Sequence, residues 1–275
     1  MRSSMTLVFI NMEIETIVND KMVVIYQMGK VASSTIKATL AQIKGLNVIH
    51  THHLSSNYTR NLNSIKKKMG WKTTISPESI DDLYNKIIHE NEIYIISLVR
   101  EPIGRNISAY FQNLDLIFKQ DDAYKNIPFD QVLEGFFTKY PHSIPITWFD
   151  NEFNEVLGFD IYNHDFPKDE GAVIINNKKY HILVMRHDID DEKKQKYLQK
   201  LLNIKNIKIV RKNEASSKSY FEIYAKFIDK ISFSDDYINN MLESKYTKHF
   251  FSIDDIEYLK SKWIKNCDIS AQSQI

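Results

Sequence analysis

Residues 23–40, VVIYQMGKVASSTIKATL, set a Gly-Lys pair and three consecutive hydroxyl residues between an apolar run and a helical pattern. A strand that passes through a small-residue loop into a helix aims several backbone N–H groups and the positive helix end at one point, which attracts an anion. Lys30 adds a mobile charge there, and Ser33, Ser34 and Thr35 add hydroxyl donors where the helix begins. Gly29, Lys30, Ala32, Ser33, Ser34 and Thr35 are therefore the candidate phosphate-binding residues. The ATP-binding pattern G-x-x-x-x-G-K-[ST] is broken twice. Val24 stands where its first glycine belongs, and Val31 where the Mg²⁺-binding hydroxyl should follow the lysine. A hydroxyl-rich helix cap with a solvated lysine is the structural alternative.

A second segment, IISLVREPIGRNISAYF (95–111), ends an apolar strand on Arg100 and turns through Pro102 into a helix that carries Ser108. The arginine fork suits phosphate, and proline is tolerated in a first helical turn. The C-terminal ends of strands form the edge where doubly wound sheets bind ligands, and the 29–35 loop belongs to the same edge. Two anion grips are thus expected to face one crevice. The bland alternatives are an ion pair of Arg100 with Glu101 or Asp115, and a surface serine at 108.

VIHTHHLSS (48–56) follows a third strand pattern and brings three imidazoles, His50, His52 and His53, to that edge. Histidine exchanges protons near neutral pH and suits a general base. Strand alternation puts His50 and His52 on one side. A zinc site is disfavoured because a strand presents only two of the three on one face and no cysteine or nearby carboxylate completes the set. A structural histidine cluster stays open.

The elements that must position these residues follow from apolar periodicity. Strands are expected at 22–28, 46–53, 92–100, 181–188 and 207–213, all short and β-branched, with helical patterns between them. Ile36, Leu40 and Ile43 share one helix face, as do Ile103, Ile107, Phe111 and Leu114. That alternation predicts an α/β fold with a doubly wound parallel sheet covered on both faces. From 217 the pattern is helical only, with Ser234 and Ser252 as N-caps. No repeat or linker interrupts the 275 residues, so one domain is expected over 1–275, its core at about 20–213 and C-terminal helices at about 214–266.

Charge excludes some partners. Lys+Arg (36) and Asp+Glu (35) nearly cancel, so no global field recruits nucleic acid or an anionic membrane. The N-terminal apolar run LVFI (7–10) is far short of a signal or membrane segment. The lone Cys267 excludes an internal disulfide and fits a reducing compartment, so a cytoplasmic location is expected. Three weaker features remain: RHDIDD (186–191), read as a strand followed by a solvated acidic turn rather than a site for an acceptor or a second base; Lys66-Lys67-Lys68, read as a solvated helix face rather than a contact for an acidic glycan; and Arg211, Lys212 and Lys218, which either close over a nucleotide or are plain surface.

The two motifs together resemble the sulfotransferases that use 3′-phosphoadenosine 5′-phosphosulfate (PAPS), in their carbohydrate-modifying branch. There the first loop is similar to PKVAST or PKTGST, against GKVASST here, and the second to VREPxxRxxSxY, against VREPIGRNISAY here, a match at every fixed position. NEASSKSYFEIYAKF, ITWFDNEFNEVLGFDIY and YHILVMRHDIDD are similar to segments of bacterial relatives linked to capsular polysaccharide synthesis. Gly29 departs from the usual proline, which loosens the loop.

The resemblance implies a P-loop-like sulfotransferase core and a saccharide acceptor, with adenosine 3′,5′-bisphosphate as product and no metal requirement. It implies that Lys30 and the 33–35 hydroxyls hold the 5′-phosphosulfate, that Arg100 and Ser108 hold the 3′-phosphate, that Lys218 adds a nucleotide contact, and that a His-x-His segment bears the base. His52 is favoured, with His50 and His53 as alternates. The other readings are a P-loop nucleotide kinase, and a relative that binds glycan or nucleotide without turnover.

Overall fold

The computed structural model describes residues 21–73, 75–211 and 219–264. Five strands form one sheet: β1 Lys21–Tyr26, β2 Leu46–Thr51, β3 Ile93–Val99, β4 Ala172–Asn177 and β5 Tyr180–Arg186, in the order β2-β1-β3-β5-β4. The pairs β1–β2, β1–β3 and β3–β5 are parallel, and β4 runs antiparallel to β5. β3, IYIISLV, is buried at every position, as a strand covered on both faces must be.

Helices α1 Ser33–Leu40, α2 Ser56–Lys68 and α3 Pro77–Ile88 precede β3. Between β3 and β4 come α4 Pro102–Gln112, α5 Leu114–Phe118, α6 Ala123–Asn126, α7 Phe129–Lys139, α8 Ile144–Trp148, a π-helical turn Phe149–Asn154 and α9 Glu155–Leu157. After β5 follow α10 Asp191–Leu202, α11 Phe221–Lys230, α12 Asp235–Leu242, α13 Lys245–Phe250 and α14 Ile253–Ile264. Val24, Tyr26, Ile93 and Ile95 meet Tyr84, Ile87 and Ile88 of α3 and Leu157 of α9 on one face. On the other, Lys21 Nζ donates to the Leu202 carbonyl at the end of α10 at 2.7 Å. No helix among the described residues is long and apolar enough to cross a membrane.

The winding direction reverses between β1 and β3. β1 leads to β2 on one side, while β3 lies on its other side and leads on to β5, which opens a crevice at the C-terminal ends of β1 and β3. Both motif loops leave the sheet at that point.

The structure corrects two strand expectations. Residues 207–211 do not join the sheet. Two of their amides go to side chains instead: Ile209 donates to Gln195 Oε1 at 3.0 Å and Val210 to Thr39 Oγ1 at 2.9 Å. The remainder of that segment, 212–213, lies outside the described residues. The fifth strand is β4, which makes the sheet mostly rather than wholly parallel. Its hairpin to β5 turns at Lys178 with φ 53°, a left-handed position normally signalled by glycine or asparagine.

The C-terminal helices are part of the same apolar core. Ser234 caps α12 by accepting the Tyr237 N–H at 3.2 Å, and Ser252 accepts the Asp255 N–H in the first turn of α14 at 3.1 Å.

Candidate active site

The chain leaves β1 at Tyr26 and reaches α1 at Ser33 through a six-residue loop. Lys30 and Ala32 take left-handed φ values of 72° and 66°, a conformation that costs a non-glycine residue about 1–2 kcal/mol each. Alternating left-handed residues curl a backbone into a concave nest of N–H groups. Two arginines fix the loop through its carbonyls: Arg100 Nη1 donates to the Lys30 oxygen at 3.1 Å and Arg105 Nε to the Gly29 oxygen at 2.9 Å. Gly29 itself has no positive φ, so it uses none of glycine's extra freedom. The Val31 side chain is fully buried, where a metal-binding hydroxyl would have no access to a ligand. Ser33 Oγ lies 2.9 Å from His50 Nε2, and Ser34 and Thr35 complete the first turn of α1, whose amides have no intrahelical acceptor. Lys30 Nζ reaches Gln112 Oε1 on α4 at 3.1 Å.

Arg100 emerges from β3 with its backbone clamped by Tyr246, whose hydroxyl accepts the Arg100 N–H at 3.1 Å and donates to the Arg100 carbonyl at 2.8 Å. Glu101 is buried and caps α4, accepting N–H bonds from Ile103 at 2.9 Å and Gly104 at 2.8 Å, with Pro102 in the first turn. Burial raises its pKa, against the opposing pull of Arg100. Arg100 forms no ion pair with Glu101 or Asp115: the first caps the helix and the second accepts the Ala123 N–H at 2.9 Å. A Cβ on Gly104 would strike the Glu101 carboxylate and stand 3.6 Å from Arg100 Nη2. The guanidinium thus crosses α4 at Gly104, and half-buried Ser108 follows one turn later on the same helix face.

The His50 and His52 rings meet edge to face at 5.1 Å, on one side as alternation requires. His53 turns elsewhere, its Nδ1 3.8 Å from the buried carboxylate of Glu152. Among the described residues no three His, Cys, Asp or Glu side chains are grouped to hold a metal ion. His52 Nδ1 lies 2.9 Å from the Gln27 carbonyl. A carbonyl only accepts, so Nδ1 carries the proton and Nε2 the lone pair. Burial pushes the His52 pKa down to about 4, so the ring is neutral at pH 7. A Cβ on Gly29 would stand 3.5 Å from His52 Nε2, which places that nitrogen beside the β1 loop.

Lys30, His52, Lys66, Trp71, Arg105 and Gln112 line a cleft of about 220 Å³. Glu152, in the π-helical turn, accepts N–H bonds from Leu54 and Ser55 and the Tyr26 hydroxyl, pinning the segment after the histidines to β1. Sequence reasoning passes over this carboxylate because it lies 98 residues from Leu54 in a segment with no motif. Arg105 and Tyr246 are likewise additions. Arg105 had a signal, as the second fixed arginine of VREPxxRxxSxY, whereas Tyr246 had none.

Of the remaining candidates, Arg211 pairs with Asp191 at 2.7 Å. Lys212 and Lys218 lie outside the described residues. In RHDIDD, Arg186 pairs with Asp188 at 2.8 Å and with Asp255 of α14 at 2.6 Å, and Asp190 caps α10. His187 stands on the sheet edge near Arg100, and burial pushes its pKa down to about 4, with Arg100 adding to the effect.

Residues 15–155, just over half of the chain, match the family model described as "Sulfotransferase family". The chain belongs to that family. A second model, "Putative capsular polysaccharide synthesis protein", matches residues 119–252. No curated protein and no solved structure gives a significant match. The sulfotransferase match spans both motif loops, His52 and Glu152, so the crevice just described lies within the matched residues.

Proposed function

We propose that this sulfotransferase moves a sulfuryl group from PAPS to a hydroxyl of a saccharide, such as a capsular or other surface polysaccharide, and that the whole chain serves as one catalytic domain. The observation that carries the proposal is the hydrogen bond from Arg100 to the Lys30 carbonyl, 3.1 Å long, which ties the two anion-binding loops together at the switch point of the sheet. A nucleotide with phosphates at both its 5′ and 3′ positions needs two such grips side by side. The chain's residues fit it: a curled N–H nest with Lys30 and the hydroxyls of Ser33, Ser34 and Thr35 for the 5′-phosphosulfate, with Gly29 and Ala32 in the same loop, and the Arg100 fork with Ser108 for the 3′-phosphate. Lys218 is a further contact in this reading.

His52 Nε2 takes the proton of the acceptor hydroxyl as its oxygen bonds to sulfur. The S–O bond to the 5′-phosphate breaks, and Lys30 neutralises the charge that collects on the bridging oxygen. The bisphosphate leaves. Preorganised donors of this kind are commonly worth about 3–4 kcal/mol each in the transition state. The buried Val31 argues against a nucleotide kinase, because an ATP loop needs a hydroxyl there for Mg²⁺. No metal takes part in the proposed reaction.

Adenosine 3′,5′-bisphosphate should raise the melting temperature of the protein, and should do so in EDTA, because a ligand that binds only the native state stabilises it by mass action. AMP should act far more weakly. Equal shifts from AMP and ADP would remove the 3′-phosphate assignment, and Mg²⁺-dependent ATP hydrolysis would favour the kinase. Transfer of label from PAPS to a panel of saccharides tests turnover.

A further inference from the structure

The cleft beside His52 holds a cation that the reaction above does not use. Lys66 lies on α2, half-buried, with its Nζ 5.3 Å from the centre of the Trp71 ring. Lys67 and Lys68, the rest of the basic run, are exposed. Among the described residues Lys66 has no ion pair with a carboxylate, and no aspartate or glutamate lines the cleft, which Lys30 and Arg105 also enter. Arg105 is committed to Gly29, Asn106 and Tyr140. Burial, with Arg105 adding to it, pulls the Lys66 pKa down to about 8, the mark of an ammonium held out of water without compensation. A partly desolvated charge is stabilised by an anion that completes it.

The cleft also continues. Tyr58, Leu62 and Ile144 form walls shared with a second hollow of about 520 Å³ between α2 and α8. Besides apolar side chains, Ile65 and Pro141 among them, that hollow is lined by amides and hydroxyls, Asn57, Asn61, Asn151, Ser143 and Thr147 among them, and by Lys68 and Glu155. Together the two are of the size that holds a drug-sized ligand. The positive charge is concentrated at the His52 end, where the acceptor hydroxyl must sit.

We infer that Lys66 is a specificity-determining residue that binds the carboxylate of an acidic sugar in the acceptor chain, next to the hydroxyl that receives the sulfuryl group. This rests on the sulfotransferase reading for the identity of the acceptor, but its test needs no turnover. A sulfate ester already present on the chain offers a similar anion, and the probes separate the two.

Binding would be measured by calorimetry, with and without adenosine 3′,5′-bisphosphate. The probes are tetrasaccharides containing glucuronate or galacturonate, their carboxyl-reduced counterparts, and a neutral tetrasaccharide bearing one sulfate ester. Hydrogen bonds to charged groups predict that the protein binds at least one uronate chain about tenfold to a hundredfold more tightly than its reduced form. Lys66→Met, which keeps the aliphatic stem over Trp71, should abolish that preference. Lys66→Arg should retain part of it, and bisphosphate affinity should be equal in all three proteins. The proposal is overturned if no uronate chain is preferred over its reduced form, if Lys66→Met keeps the preference, if only the sulfated neutral chain depends on Lys66, or if Lys66→Met weakens the bisphosphate and so faces the donor. Absence of bisphosphate binding with the uronate preference intact would count against the donor reading alone.

Discussion

The bond from His52 Nδ1 to the Gln27 carbonyl settles which imidazole nitrogen is basic, and it separates His52 from its two neighbours. His50 Nε2 is engaged with Ser33 at 2.9 Å, and His53 faces Glu152. His52→Ala should therefore leave bisphosphate affinity nearly unchanged while single-turnover rate falls by roughly 10²–10⁴, the usual contribution of a positioned base. Lys30→Ala should lose donor affinity and rate together, since it removes a contact present in both ground and transition states. Near-normal turnover in His52→Ala would refute the assignment, and a selective rate loss in His50→Ala would move the base there. The sequence made the histidine pair legible through alternation. It did not show the tautomer, which depends on a carbonyl 25 residues away in the chain.

At the scale of elements, the start of α4 carries the most consequence. Glu101 caps it, Pro102 fixes its first turn, and Gly104 leaves room for both the cap and the Arg100 guanidinium. Gly104→Ala should cost about 1–3 kcal/mol through overpacking and weaken the bisphosphate by displacing Arg100. The β1 loop should respond differently: a Cβ on Gly29 finds only ordinary contact with His52 at 3.5 Å, so Gly29→Ala should fold normally and hold its melting temperature. A large melting loss in Gly29→Ala, or none in Gly104→Ala, would contradict this account of the two loops. Such elements were readable where local chemistry decides them, as with Pro102 and the capping Ser234. They were not where distant partners decide. Residues 207–211 have strand composition, yet Gln195 and Thr39 take two of their amides; β4 forms through a Lys178 turn without the glycine or Asn-Gly signal of a hairpin.

For the whole molecule, the sheet order brings the β1 and β3 ends together, and the C-terminal helices brace them through Tyr246 on Arg100 and Asp255 on Arg186. The crevice is thus held by groups far apart in sequence, several of them titratable. His52, His142 and His187 are all pushed down to about 4, in each case chiefly by burial. His142 shows what a proton would disrupt: its Nε2–H donates to the Phe136 carbonyl at 2.7 Å, so its Nδ1 accepts from the Tyr237 hydroxyl at 2.9 Å. A second ring proton would remove that acceptor. The unfolded chain binds these protons near pH 6.5 and the folded chain only near 4, so between those values unfolding takes up protons and stability falls as pH falls. Each histidine contributes a slope of at most about 1.4 kcal/mol per pH unit. The melting temperature should hold from pH 8 to 7 and drop increasingly from 6.5 toward 4. His142→Gln should melt lower at pH 7 yet show a shallower decline over that acid range, because the proton uptake of His142 is gone while those of the other lowered histidines, His50 and His249 among them, remain. Parallel curves for the two proteins would mean that His142 takes up no extra proton on unfolding, and that other groups drive the acid loss.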